Sequence, residues 1–324
     1  MRGSKLLAAL GAAVLCLHFA ASAGWLDAAK AQLRPVMAPA AVSEAPDDDA
    51  PSPVPSPAAT DAAASPAATA SAAATAVSTT ISGGLKLKNE TAYDLSVPEL
   101  LQAGPSIRLE RGKPQILIIH THSSEAYAPA GLDRYENADS NRTEDKRYSV
   151  IRVGDELTDI LEQSGLTVLH DREIYDYPSY SGSYARSGAA VEQYLKDNPS
   201  IRVVIDLHRD ALAAGDVVYK TMAEEAGVCA SQVMLLCGTD ESGLEHPHWR
   251  ENLKLALYLQ NAVSAAHPTL MRPVEVVPQR YNQQLSTGSL LVEVGSSGNT
   301  LQEALAGVRL FGDAAGPALA KLIE

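Results

Sequence analysis

Short runs of branched apolar residues alternate with longer stretches of helical period along the second half of the chain, and this alternation limits the fold more than any other feature. The runs are Gln115–Ile119, Leu166–Leu169, Ile201–Leu207, Val233–Leu236 and Leu290–Val294. Each is too short for a helix and rich in residues that suit a buried strand. Between and after them lie Val153–Gln163, ending before Gly165, and Ala185–Lys196, closed by Asn198-Pro199. Trp249–Ala266 follows, stopped by His267-Pro268, and the stretch from Thr300 to about Ile323 holds one or two closing helices. Strand and helix in turn predict an α/β fold, a single three-layer domain over residues 115–324 with a mostly parallel central sheet. No internal repeat is visible.

The first quarter cannot join that domain. Arg2 and Lys5 precede an apolar run from Leu6 to about Leu26, in which His18 is the strongly polar member. Such a start reads as a membrane anchor or signal peptide over residues 1–26. Ala21-Ser22-Ala23 offers a small-x-small cleavage site. Leu15 before Cys16 argues against lipidation. Either reading places the remainder outside the cytoplasm. Residues 27–83, and above all Pro35 to Ser82, are Ala, Pro, Ser and Thr with a few acids. They bury too little apolar surface to offset their ordering entropy, which predicts a disordered linker. Residues 84–114 form a pre-domain segment in which Ser96–Leu101 suits a short capped helix.

Charge narrows the partners. Lys and Arg total 26 against 39 Asp and Glu, a formal charge of −13. An acidic chain repels phosphate backbones, so nucleic acid is not expected. Cys229 and Cys237 lack the spacing of a zinc-thiolate site. Burial as small hydrophobes is the simplest expectation for them, a single bridge the other.

Active sites of open α/β sheets gather beyond the carboxyl ends of the strands. The first strand runs into His120-Thr121-His122-Ser123-Ser124-Glu125, the third into His208-Arg209-Asp210, and the last carries Glu293 before Val294-Gly295-Ser296. A catalytic zinc takes three His or carboxylate ligands and keeps one position open. His122 and Glu125, three residues apart, suit one turn around an ion, with His208 as third ligand. Glu293 is then free as general base. His120 competes with His122, since alternate strand residues share a face. Arg209 suits a substrate carboxylate or an oxyanion, and Asp210 suits orientation of a ligand histidine. A structural hydrogen-bonding role is expected for His170. His246 and His248 read as a loop before a helix. Tyr175, Tyr177, Tyr180 and Tyr184 cluster near Pro178, Gly182 and Arg186, as aromatics that pack on sugars or peptides or cover a core edge.

At these residues the chain resembles the stage II sporulation protein P family, zinc-dependent N-acetylmuramoyl-L-alanine amidases of endospore formers. The resemblance runs from about Gln115 to the C-terminus. It is carried by His122-Ser123-Ser124-Glu125, the Tyr177-Pro178-Ser179-Tyr180 run through Ser187, Ile205-Asp206-Leu207-His208-Arg209-Asp210, and Val292-Glu293-Val294-Gly295-Ser296 with Asn299-Thr300. It implies a fold like zinc carboxypeptidases and cell-wall amidases, with Zn2+ held by His122, Glu125 and His208, and with Glu293 catalytic. In related amidases the second ligand lies further along, which leaves Glu136 and Glu144 open for that place. The implied substrate is peptidoglycan, cut between the lactyl group of N-acetylmuramic acid and L-alanine, with peptide crosslinks as a second target. The implied partner is a lytic transglycosylase of the stage II sporulation protein D type, and the membrane is the partner of the N-terminal segment.

Overall fold

The computed structural model describes residues 78–82, 85–136, 140–214, 217–225 and 227–324. The expected anchor over 1–26 and most of the linker over 27–83 lie outside the described residues. No helix among the described residues is long and apolar enough to cross a membrane.

In chain order the strands are β1 (Ser78–Ser82), β2 (Leu85–Asn89), β3 (Ile116–Ile119), β4 (Val168–His170) and β5 (Val203–Asp210). Two small hairpins follow, β6 (Ala213–Ala214) with β7 (Val217–Val218) and β8 (Met222–Glu225) with β9 (Val228–Ser231). The last three strands are β10 (Val233–Gly238), β11 (Val274–Val277) and β12 (Ser289–Ser296). The helices are α1 (Val97–Ala103), α2 (Val150–Gln163), α3 (Ser183–Asp197), α4 (Trp249–Ala266) and α5 (Leu301–Ala320).

Eight strands form one sheet in the order β1-β2-β11-β10-β12-β5-β3-β4. The block β12-β5-β3-β4 is parallel throughout, and so is β2-β11-β10. The two blocks meet antiparallel at β10 and β12, and β1 closes the edge antiparallel to β2. The sheet is therefore mostly parallel, as the alternation of elements predicts. It also reaches back beyond residue 115. Ser78–Ser82, assigned to the linker on composition, is a strand because Thr79, Thr80 and Ile81 favour extended backbone and β2 pairs with it antiparallel.

Side-chain alternation sorts the layers. Ile116, Ile118, Val203, Ile205, Leu207, Val292 and Val294 face a large core shared with α2, α4 and α5. Leu117, Ile119 and Val204 face the other way, onto Val191 of α3. Helix α2 starts three residues before the expected Val153, because the Ser149 side chain caps it by accepting from Ile151 N. The C-terminal stretch is a single helix that runs through Pro317. Its start is set by a capping box, in which Glu303 N donates to Thr300 Oγ1 at 3.2 Å and Thr300 N donates to Glu303 Oε2 at 3.0 Å. Ser96 stands at the N-cap of α1 without a side-chain cap bond. Cys229 is exposed, Cys237 is buried, and both are free, so no bridge joins them.

Gly307 tests the tightness of this packing. Helix propensity alone favours Ala over Gly by about 1 kcal/mol. A Cβ there would press on the Ser231 backbone carbonyl, and overpacking costs about 1–3 kcal/mol. Gly307→Ala should therefore lower stability in a urea melt, and a gain would show that α5 can shift away from β9.

Candidate active site

Because β3, β5 and β12 run parallel, their carboxyl ends lie side by side. On β5, Asp206 and His208 point to the same side as Val204, towards α3. On β12, Glu293 shares the face of Leu291, and its register partner on β5 is His208. Strand β3 stops at Ile119, so the following residues turn rather than alternate. The turn buries His122 and Glu125 against β5.

This divides the two competing histidines. His120 points under α2. Its Nδ1 lies 2.8 Å from the Leu207 carbonyl and its Nε2 lies 2.8 Å from His170 Nε2. His170 Nδ1 is in turn 3.2 Å from Asp155. The pair fills the space that Gly154 leaves open in α2. His120 is thus a buried structural residue, with its pKa pushed down to about 3 by burial and by His170. His170 has the hydrogen-bonding role expected of it.

His122 is buried with its ring centroid 5.3 Å from that of His208. His208 Nδ1 lies 3.4 Å from Glu125 Oε2, and His208 Nε2 lies 2.8 Å from Asp206 Oδ1. Asp206 is itself fixed by Thr121, whose N and Oγ1 donate at 2.8 and 2.7 Å. Arg209 N donates to Glu125 Oε2 at 3.2 Å, while the guanidinium groups of Arg209 and Arg142 approach Glu125 Oε1 at 3.5 and 3.6 Å. Of the glutamates considered for this place, Glu125 is the one brought to His208, whereas Glu136 and Glu144 are exposed.

The charges follow from these contacts. Burial works to raise the Glu125 carboxyl, but Arg209 and His208 outweigh it and hold the pKa well below the usual range. Burial opposes charge on His208, yet Asp206 and Glu125 hold its pKa well above normal. Burial pushes His122 down to about 4. Glu293 goes the other way: burial raises it to about 8 although His208 pulls against the shift. Its Oε2 is buried with no hydrogen-bond partner among the described residues. A buried acceptor left open costs about 1–3 kcal/mol, and such a cost is typical of a group kept for a reacting atom.

Two expectations need correction. Arg209 does not face an open cleft. It is buried, with Nε donating to Ala126 O and Nη2 to Asn141 O, each at 3.1 Å, so it braces Ala126, Asn141 and Glu125. Asp210 does not orient a histidine, because it pairs with Arg272 Nη1 at 2.6 Å. His246 and His248 precede α4, away from these residues in the fold. The tyrosine cluster divides. Tyr180 stacks on His122 with centroids 4.5 Å apart, Tyr184 meets the same ring edge-on at 5.4 Å, and Tyr175 bonds Asp171. Asp206 and Arg142 were missed as site residues. Asp206 was within reach of sequence reasoning, since it sits two residues before His208 on the same strand face. Arg142 comes from a loop and carries no such signal.

A family model described as Stage II sporulation protein P matches residues 51–315. The chain belongs to the stage II sporulation protein P family. The Stage II sporulation protein P of Bacillus subtilis (strain 168) is 28% identical over 213 residues, covering 62% of this chain and 50% of that protein. The chain thus spans about half the length of this curated relative. Among solved structures, the N-acetylmuramoyl-L-alanine amidase AmiC2 of Nostoc punctiforme covers 65% of this chain and 97% of its own at 16% identity and a TM-score of 0.36. The CwlD amidase from Clostridioides difficile, in complex with the GerS lipoprotein, covers 64% and 98% at 14% identity and a TM-score of 0.38. At these TM-scores neither likeness bears on activity.

Zinc is the ion that the donor chemistry suits, with two imidazoles and a carboxylate in one cleft and a second carboxylate held unpaired. As placed, no three His, Cys, Asp or Glu side chains among the described residues are arranged around one point to hold a metal. His122 Nε2 lies 3.0 Å from Tyr180 Oη.

Glu293 has a pH signature. Its pKa is about 8 in the folded chain against an ordinary 4.5. Its contribution to stability is therefore complete below about 4.5 and is lost as pH rises through about 8. Glu293→Gln removes that loss. The melting temperature of the variant should climb relative to wild type between pH 5 and pH 9, by about 2–4 °C for each kcal/mol involved. Parallel melting profiles would mean that this carboxyl titrates normally.

Proposed function

We propose that this chain is a zinc-dependent peptidoglycan hydrolase that cleaves the amide between N-acetylmuramic acid and L-alanine. The observation that carries the reading is Glu293, a half-buried residue whose Oε2 is buried and unpartnered, in register with His208. Family membership supports the substrate class and the setting in sporulation. In that setting the enzyme thins the septal wall during engulfment, alongside a lytic transglycosylase of the stage II sporulation protein D type. It acts outside the cytoplasm, held by its N-terminal segment.

His122, Glu125 and His208 would hold the ion. When bound, zinc supplies Lewis acidity towards the scissile carbonyl and lowers the pKa of water to about 7. A cation in the cleft also favours the ionised form of Glu293, against the burial that raises its pKa. Glu293 then takes the proton of the attacking water on its open oxygen. It delivers that proton to the alanine nitrogen as the C–N bond breaks, so the lactyl carbon gains the hydroxyl and the stem peptide leaves as an amine. Asp206 and Arg209 hold His208 and Glu125 in place through these steps. Arg142, half-buried at the rim, adds positive charge beside the carboxylates.

Purified chain should contain zinc and release stem peptides from sacculi, leaving bare glycan by mass spectrometry. His208→Ala should lose both metal and product. Glu293→Gln should keep the metal and lose turnover by 10²-fold or more, in the range of general acid–base catalysis. Shortened stems or cut crosslinks would instead indicate a peptidase, and sacculus binding by zinc-loaded chain without product would indicate a wall-binding module.

A further inference from the structure

The turn between β11 and β12 carries two consecutive non-glycine residues in the left-handed region, Tyr281 at φ 52° and Asn282 at φ 57°. Asparagine tolerates that conformation, but a bulky side chain rarely adopts it. The turn is tied down from three sides. Asn282 Nδ2 donates to Tyr184 O of α3 at 2.7 Å. Gly238 N of β10 donates to Gln283 Oε1 at 2.7 Å, and Gln283 Nε2 donates to Leu236 O at 2.8 Å. Asn252 Nδ2 of α4 donates to Gln283 O at 3.0 Å. Strain that persists under so many bonds points to a side chain whose place matters. A glycine or a second asparagine would make the same turn with less strain, so what the strain retains is the tyrosine ring.

That ring stands next to the open carboxylate. Tyr281 packs on Leu236, Val277 and Leu291, and Leu291 shares its face of β12 with Glu293. Strands β10 and β11 lie on the side of β12 away from β5. His208 therefore borders Glu293 on the β5 side, and Tyr281 stands on the β10 side. Burial pushes the Tyr281 hydroxyl up to about 12, and Glu293 is the first charge that adds to the shift. The ring centroid is 5.8 Å from that of Tyr184, the ring that meets His122 edge-on. Tyr281 is half-buried, so part of its surface stays open to a ligand.

In the amidase reading Glu293 gives its proton to the alanine nitrogen, so the leaving amine lies against Glu293. A stem peptide that continues from that nitrogen away from His208 meets Tyr281. A tyrosine ring offers a short peptide a large, rigid contact with little conformational entropy to lose. We propose that Tyr281 is a specificity-determining residue whose ring receives the first residues of the stem peptide. The proposal rests on the amidase reading above and assigns the place of the leaving group. Tyr281 takes no part in the proton transfer.

The test is calorimetric titration of the full chain in a Glu293→Gln background, in which turnover is lost. The ligands are N-acetylmuramoyl-L-alanyl-D-isoglutamine and N-acetylmuramic acid alone. Tyr281→Asn removes the ring and suits the turn, and Tyr281→Phe keeps the ring. Tyr281→Asn should bind the muramoyl dipeptide about tenfold more weakly, as truncation of one well-packed aromatic contact does. Its affinity for N-acetylmuramic acid should stay within about twofold of the parent, as should the affinity of Tyr281→Phe for both ligands. Equal binding of the dipeptide ligand by the parent and Tyr281→Asn would overturn the assignment and leave the amidase reading standing. An equal loss for both ligands would also overturn it, by making Tyr281 a support of the whole site. A parent that binds neither ligand would remove the amidase reading and this assignment together.

Discussion

The parallel pairing of β5 with β12 is the constraint on which the site depends. It sets His208 opposite Glu293 and turns both towards α3. Strand side chains alternate, so a slip of one residue would send one of them into the opposite core and break the pair. The register is held by the apolar residues between them. Leu207, Val292 and Val294 are fully buried on the far face, and none can exchange faces with its neighbours without exposing a large apolar surface. The chemistry is thus fixed by residues that never touch the cleft.

Around that pair the charges support each other in a fixed order. Thr121 holds Asp206, Asp206 meets His208, His208 meets Glu125, and Glu125 is met by Arg209 and Arg142. Each buried ion has a partner of opposite sign, which is the condition under which charge survives burial. Glu293 stands outside the chain of pairs, and burial therefore keeps its proton on. Two glutamates near His208 thus have acidities driven apart by their surroundings.

Much of this was legible in the sequence. The strand end at Ile119 could be read from its apolar run, whereas β5 and β12 run on past the apolar stops at Leu207 and Val294 to Asp210 and Ser296. Of the residues beside those stops, His122, Glu125, His208 and Glu293 lie near one another. The choice between His120 and His122 was not legible, because it depends on β3 stopping one residue short of His120. The fates of Arg209 and Asp210 were hidden for a related reason. Their partners, Asn141 and Arg272, come from distant loops, and polar pairing over such separations leaves no periodic trace. Strand β11 escaped because four residues between Pro273 and Pro278 resemble a linker. The direction of β10 is set by the crossover through α4 to β11, not by its own composition.

The edge hairpin β1–β2 has a mechanical meaning. The chain enters the sheet at Ser78, whose register partner is Asn89 at the far end of β2. A pull applied at Ser78 meets the hairpin's bonds one after another from that end, like a zipper, and does not load them all together. The outer pair can open under tension while β10 still stands between the load and the strands that carry His208 and Glu293. Strain arriving through the N-terminus is spent at the border of the sheet, and the cleft keeps its shape.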